Sequence, residues 1–110
     1  MAALNHRNIN YIKRILDNYE LTDFQKQVLL FTCTIPKGKT LSYKEVATAI
    51  GHPNSYRAVG TALRKNPLPV IIPCHRVIRK NGELGKYSNG GTNAKRDILR
   101  KEGYIGKPAA

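Results

Sequence analysis

A chain of 110 residues is long enough for one compact domain with a real core and little surplus. Nineteen Lys and Arg against seven Asp and Glu give a formal net charge of +12, so the natural partner is a polyanion. No apolar run approaches bilayer length, the start lacks the hydrophobic segment of a secretory signal, and two cysteines supply neither a dense disulfide framework nor a metal cluster; the reading is cytoplasmic.

Leu4 to Tyr19 is predicted helical, with Ile9, Ile12, Ile15, Leu16 and Tyr19 at mostly three- and four-residue spacings; residues 1–20 form an N-terminal helical extension. A second helix begins at Thr22, with Gln25 as its capping-box partner, and runs through Phe24, Val28, Leu29 and Phe31. Cys33 lies in this hydrophobic run and reads as a silent core residue. Ile35-Pro36-Lys37-Gly38-Lys39 ends the helix, and Pro36 to Thr40 forms a turn leading into the next one. Ser42 and Glu45 repeat the capping box, Val46, Ala47 and Ile50 face inward, and Gly51 stops the third helix.

After His52-Pro53-Asn54 a fourth helix carries Tyr56, Val59, Gly60, Leu63 and Arg64, and two short helices so joined read as a helix-turn-helix. The small residues Ala58, Gly60, Thr61 and Ala62 allow close approach of another helix or of a groove. Arg57 stands near the positive start of this helix, where the dipole gives no reason for a cation and contact with DNA would.

Asn66 to Arg79 reads NPLPVIIPCHRVIR. Pro69 and Pro73 bracket Val70, Ile71 and Ile72, whose β-branched side chains favour a short extended segment and so a rigid mount for Cys74. His75 and Arg76 place two potential cations beside that cysteine, which would lower its pKa and make it a candidate nucleophile. Arg79-Lys80-Asn81-Gly82 approaches a tight hairpin turn. Gly85 to Gly91 is a glycine-rich loop without the GKS or GKT ending of a nucleotide phosphate site. Thr92 caps a last helix that runs to about Lys101 with Ala94, Ile98 and Leu99 inward, Gly103 stops it, and Glu102 meets its unfavourable negative pole. Residues 104–110 form a short basic tail. The fold class is mainly α, a small helical domain with a short β element around residues 69–87.

PCHRV within NPLPVIIPCHRV resembles the active-site signature of the DNA repair methyltransferases that remove alkyl groups from O6 of guanine, and the likeness extends from about Thr22 to Gly103. It corresponds to that family's C-terminal, active-site domain; the usual N-terminal domain has no counterpart in this sequence. The resemblance implies that Cys74 takes the alkyl group itself, that Asn66 braces the two halves of the site, and that His75 and Glu102 form a hydrogen-bonded network with the thiol through a water. It implies further that Tyr43 donates to the guanine ring, that Tyr87 and Ser88 touch the extruded base, and that Arg57 fills its place in the stack. Asn89 is one residue more than the family's common YSGG pattern.

Between Glu45 and Glu83 every charged residue is basic, which puts the positive bias around the proposed site. Phosphate contacts are expected from Arg64, Lys65 and Arg76. The expected partner is double-stranded DNA containing O6-alkylguanine, bound by a single monomeric domain spanning residues 1–110. Attack by sulfur gives a thioether, which water does not readily cleave, so the protein acts once and needs no cofactor. The alternative from another class is a non-catalytic reader of alkylated DNA, of the alkyltransferase-like type. Such relatives of the family typically carry tryptophan in place of the cysteine, so Cys74 argues against it. A helix-turn-helix regulator of undamaged DNA is more remote.

Overall fold

The computed structural model describes residues 6–68, 71–79 and 91–104. In chain order its elements are α1 (His6–Leu16), α2 (Asp23–Thr32), β1 (Leu41–Ser42), α3 (Tyr43–Ala49), α4 (Tyr56–Arg64), a single 3₁₀ turn (Cys74–Arg76), β2 (Val77–Ile78) and α5 (Gly91–Lys101). The mainly helical class with a short β element is thus the fold observed. No described helix is long and apolar enough to cross a membrane.

Local chemistry sets most helix starts and stops. Thr22 Oγ1 accepts from the Gln25 N–H at 3.1 Å while Gln25 Oε1 accepts from the Thr22 N–H at 3.0 Å. Ser42 and Glu45 make the same reciprocal pair at 3.0 and 2.8 Å, and each box satisfies two donors that a helix start would otherwise leave open. At the far end of α3, Gly51 has φ +84°, the His52 N–H donates to Ala47 O and the Gly51 N–H to Thr48 O. The end of α5 repeats this motif, with Gly103 at φ +89°, Tyr104 N–H to Leu99 O and Gly103 N–H to Arg100 O. Glu102 is therefore fixed as the last residue before a Schellman turn.

The core gathers Leu16 from α1, Val28 and Leu29 from α2, Val46 from α3, Val59 from α4 and Leu99 from α5, none more than 1% exposed. Each such side chain contributes about 1.5–3 kcal/mol of burial. Ile72 and Val77 extend this core directly under the turn that carries Cys74.

Several expectations are corrected. Helix α1 ends at Leu16, where Asn18 and Tyr19 donate back to Ile15 and Leu16 in a tight turn, and Tyr19 is 46% exposed instead of joining the apolar stripe. Helix α2 unwinds at Thr32, before Pro36. Helix α5 starts at Gly91, so Thr92 lies inside its first turn and does not precede it. Of the run expected to be extended before Cys74, Ile72 makes a β-bridge, while Ile71 is turned outward in a turn and the Ile72 N–H donates to Leu68 O at 2.8 Å. The β element is not confined to residues 69–87, because β2 pairs in parallel with β1, Leu41 opposite Val77 and Ser42 opposite Ile78. Parallel strands need a crossover, here supplied by α3 and α4, and local pattern does not reveal such a pairing. Pro69, Val70, the Asn81-Gly82 turn, the loop containing Tyr87, Ser88 and Asn89, and residues 105–110 lie outside the described residues.

Candidate active site

The turn that carries Cys74 is built by backbone and amide hydrogen bonds. Pro73, at φ −80° and ψ 63°, closes an inverse γ-turn in which the Cys74 N–H donates to Ile72 O at 2.7 Å. Asn66 secures the same carbonyl from the other side: its Nδ2 donates to Ile72 O at 2.9 Å, and its Oδ1 accepts from the Leu68 N–H at 2.8 Å. One amide thus ties the end of α4 to the segment entering the turn.

Cys74 is 5% exposed. Burial pushes its thiol above the ordinary value, opposed by the Asn66 side-chain hydrogen bond and the positive charge of Lys95. The expectation that His75 and Arg76 would depress this thiol is corrected. Both side chains are committed elsewhere, so adjacency in sequence does not become proximity of charge.

His75 is fully buried, and its Nε2 lies 3.0 Å from Glu102 Oε1. Burial lowers the imidazole pKa against the raising effect of Glu102, which favours the neutral ring. Burial by itself would raise Glu102, but Arg76 and His75 outweigh it and the carboxylate is held below its ordinary value. A neutral imidazole donating through Nε2–H to that carboxylate has Nδ1 as its acceptor.

Arg76 closes the clamp. Its Nε donates to Glu102 Oε1 at 2.9 Å, its Nη2 to Oε2 at 2.5 Å, and its Nη1 to Ile35 O at 2.8 Å. Expected on DNA phosphate, Arg76 is instead an internal tie joining the 3₁₀ turn, the end of α5 and the chain after α2. A bidentate guanidinium–carboxylate pair with one further acceptor uses its planar fork inside the fold. Cys33 lies near this charge, yet burial dominates and raises its thiol to about 11, in keeping with a silent core residue.

Sequence reasoning missed Lys95. It is 1% exposed, its Nζ donates to Val77 O at 2.7 Å, and the same nitrogen stands 5.8 Å from the centre of the Tyr43 ring. Burial lowers its pKa to about 8. The signal was present in α5: residues 95, 98, 99 and 102 share one helical face, so a lysine on the stripe of Ile98 and Leu99 points inward. Tyr43, the first residue of α3, is half-buried against Gly60 of α4, and burial raises its phenol. Through Val77 O and the Tyr43 ring, Lys95 joins α5 to the strand that directly follows the Cys74 turn and to the start of α3.

Helix α4 holds the remaining cations. Arg57 is exposed in its first turn; Arg64 is exposed in its last, with Nη2 donating to Thr61 Oγ1 at 3.1 Å, and the exposed Lys65 follows as the C-cap. Spacing of seven residues puts Arg57 and Arg64 on one face, with Gly60 and Thr61 between them. The helix start has no side-chain cap and no acidic residue. Tyr87 and Ser88 lie outside the described residues.

Residues 23–104 match the family model described as "6-O-methylguanine DNA methyltransferase, DNA binding domain". A relative from Methanosarcina barkeri, named "Methylated-DNA--protein-cysteine methyltransferase", is 48% identical over 86 residues, covering 73% of this chain and 54% of that protein. The crystal structure of Mycobacterium tuberculosis OGT in complex with DNA is 49% identical with a TM-score of 0.74, over 76% of this chain and 51% of that one. S. pombe Atl1, in complex with damaged DNA containing O6-carboxymethylguanine, is 31% identical with a TM-score of 0.67, over 77% of this chain and 80% of that one. The chain spans about half the length of the curated relatives it matches.

Proposed function

This chain belongs to the 6-O-methylguanine DNA methyltransferase family, and we propose that it repairs O6-alkylguanine in double-stranded DNA by taking the alkyl group irreversibly onto Cys74. The observation that carries this reading is the seating of Cys74 in a turn fixed by Pro73 and Asn66, with the His75–Glu102 pair behind it. The sulfur attacks the alkyl carbon in line, the S–C bond forms, the C–O6 bond breaks, and its electron pair stays on guanine. The thiol proton leaves by way of water and His75, and guanine takes up one in its place, with Tyr43 donating to the ring. The product is a thioether, so each molecule reacts once.

The target base lies inside the duplex and must be extruded to reach a buried sulfur, which costs a few kcal/mol of stacking and pairing. In this reading α3 and α4 act as a helix-turn-helix, Arg57 fills the gap in the stack, Arg64 and Lys65 hold phosphate, and Tyr87 and Ser88 meet the flipped base. The chain works as one monomeric cytoplasmic unit equivalent to the family's active-site domain.

Incubation with a duplex containing one O6-methylguanine tests the reading. Intact-protein mass should rise by about 14 Da, the difference between a thiol hydrogen and a methyl group, and should map to Cys74. Repair should stop at one equivalent. Sustained turnover, or modification of Cys33 alone, would reject it. The second reading, a non-catalytic reader, is favoured by the likeness to Atl1; tight binding of the damaged duplex with no change in mass would select it.

A further inference from the structure

We propose that Lys95 is the counter-cation of the Cys74 thiolate, a positioning residue that makes the reactive sulfur anionic inside a pocket that otherwise disfavours charge. The inference rests on the reading of Cys74 as alkyl acceptor. It begins from an imbalance. Lys95 is 1% exposed, yet among the described residues its Nζ meets a carbonyl, Val77 O at 2.7 Å, and the face of the Tyr43 ring. Among the described residues no carboxylate forms an ion pair with it. Buried charges are normally paired, because an uncompensated ion loses its hydration without return.

The charged and titratable groups that bear on Lys95 and its neighbours are Cys74, His75 and Arg76 from the 3₁₀ turn, Arg79 beyond β2, Tyr43 from α3 with Arg64 of α4 acting on it, and Glu102 of α5, whose carboxylate is already committed to His75 and Arg76. Arg79 and Lys95 repel, and neutral His75 offers no anion. Cys74 and Tyr43 are the groups here that can become negative, and the thiol is the more acidic by its ordinary value. Burial lowers Lys95 and raises Cys74, while each one's charge opposes the shift of the other. Separate ionisation is costly for both, whereas ionisation together is mutually supporting, so the two titrate as a pair.

The step balances without a co-reactant. The thiol proton leaves by way of water and His75, as in the repair reading. When Lys95 starts as the ammonium that proton passes on to solvent; when it starts as the amine it takes up one proton in exchange, and in both cases the pair becomes thiolate and ammonium. Alkylation then converts the sulfur to a neutral thioether and takes from Lys95 its anion.

The test follows ionisation at Cys74 through the rate of carbamidomethylation by iodoacetamide against pH, with the modified peptide identified. In Lys95→Met the midpoint should rise by about one unit or more, a tenfold slower reaction near neutral pH. An unchanged midpoint in a variant with native circular dichroism overturns the proposal. Should Lys95→Met fail to fold, the wild-type protein decides: the Lys95 side chain, followed by NMR with ¹³C-labelled lysine, should titrate at lower pH after Cys74 is carbamidomethylated. An unmoved Lys95 midpoint overturns the pairing equally. Neither measurement involves DNA. If they succeed while O6-methylguanine duplex leaves the mass unchanged, the repair reading alone fails; if DNA repair proceeds and these fail, the pairing alone does.

Discussion

Gly38 lies directly against the backbone carbonyl of Glu102: a Cβ built at residue 38 would stand 3.1 Å from that oxygen, and Gly38 itself holds φ +84°. The turn after α2 therefore presses on the residue that anchors His75 and Arg76. Any side chain at position 38 carries a left-handed backbone penalty of about 1–2 kcal/mol before the contact is counted. Gly38→Ala should lower the thermal midpoint and slow alkylation of Cys74, because displacing Glu102 loosens the clamp behind it. A midpoint and rate equal to the parent protein's would show that the contact is not felt.

The His75–Glu102 pair gives stability a pH dependence of definite sign. The folded state holds the His75 pKa below its ordinary 6.5, so the unfolded chain binds more protons as acid is added. Its contribution is complete above that value and is lost as pH falls toward the folded pKa. Glu102, held below its ordinary 4.5, repeats the loss in a lower window. Thermal midpoints from pH 8 to pH 4 should fall progressively below about 6.5, and Glu102→Gln should remove the lower part of the fall. A flat profile from pH 7 to pH 5 would contradict the neutral buried imidazole.

Arg76 and Arg64 should separate cleanly on mutation. Arg76→Ala removes hydrogen bonds to a carboxylate and should cost about 1.5–3 kcal/mol of stability, with little change in the salt dependence of DNA affinity at temperatures where it is folded. Arg64→Ala should leave stability nearly unchanged and reduce the slope of log affinity against log salt by about one. Fluorescence anisotropy across a salt series, with melting curves, checks both. A reduced slope in Arg76→Ala would return that residue to the DNA surface.

Arg57→Ala addresses base extrusion. If the guanidinium stabilises the emptied stack, its loss should slow transfer from duplex DNA by about tenfold, equivalent to 1.4 kcal/mol, and leave reaction with free O6-methylguanine base nearly untouched. Single-turnover rates on the two substrates decide the matter. Equal slowing on both would place Arg57 in support of the fold.

What was legible in the sequence was local. The Thr22–Gln25 and Ser42–Glu45 capping boxes and the stops at Gly51 and Gly103 follow from hydrogen bonds spanning a few residues, and the structure contains all of them. The pairing of Leu41 with Val77 was not legible, because two-residue strands carry no periodicity and their partner is fixed by packing across the domain. The charge pattern misled at two positions for one reason. Arg76 adjoins Cys74 in sequence yet turns toward Glu102 and Ile35, whereas Lys95 stands among polar neighbours yet turns inward beside Val77. Burial outweighs nominal charge, which is why the thiol is raised where adjacency predicted it lowered.

The β1–β2 pair is short, but it acts as a ruler. Ser42 is both the last residue of β1 and the cap of α3, and Tyr43 follows it; on the other strand Val77 follows the turn of Cys74, His75 and Arg76. Setting Leu41 opposite Val77 consequently fixes how far the phenol stands from the sulfur. A slip of one residue would turn alternate side chains to the opposite face and separate phenol from thiol. A single residue inserted between Leu41 and Tyr43 therefore shifts the start of α3 against the strand that follows the Cys74 turn.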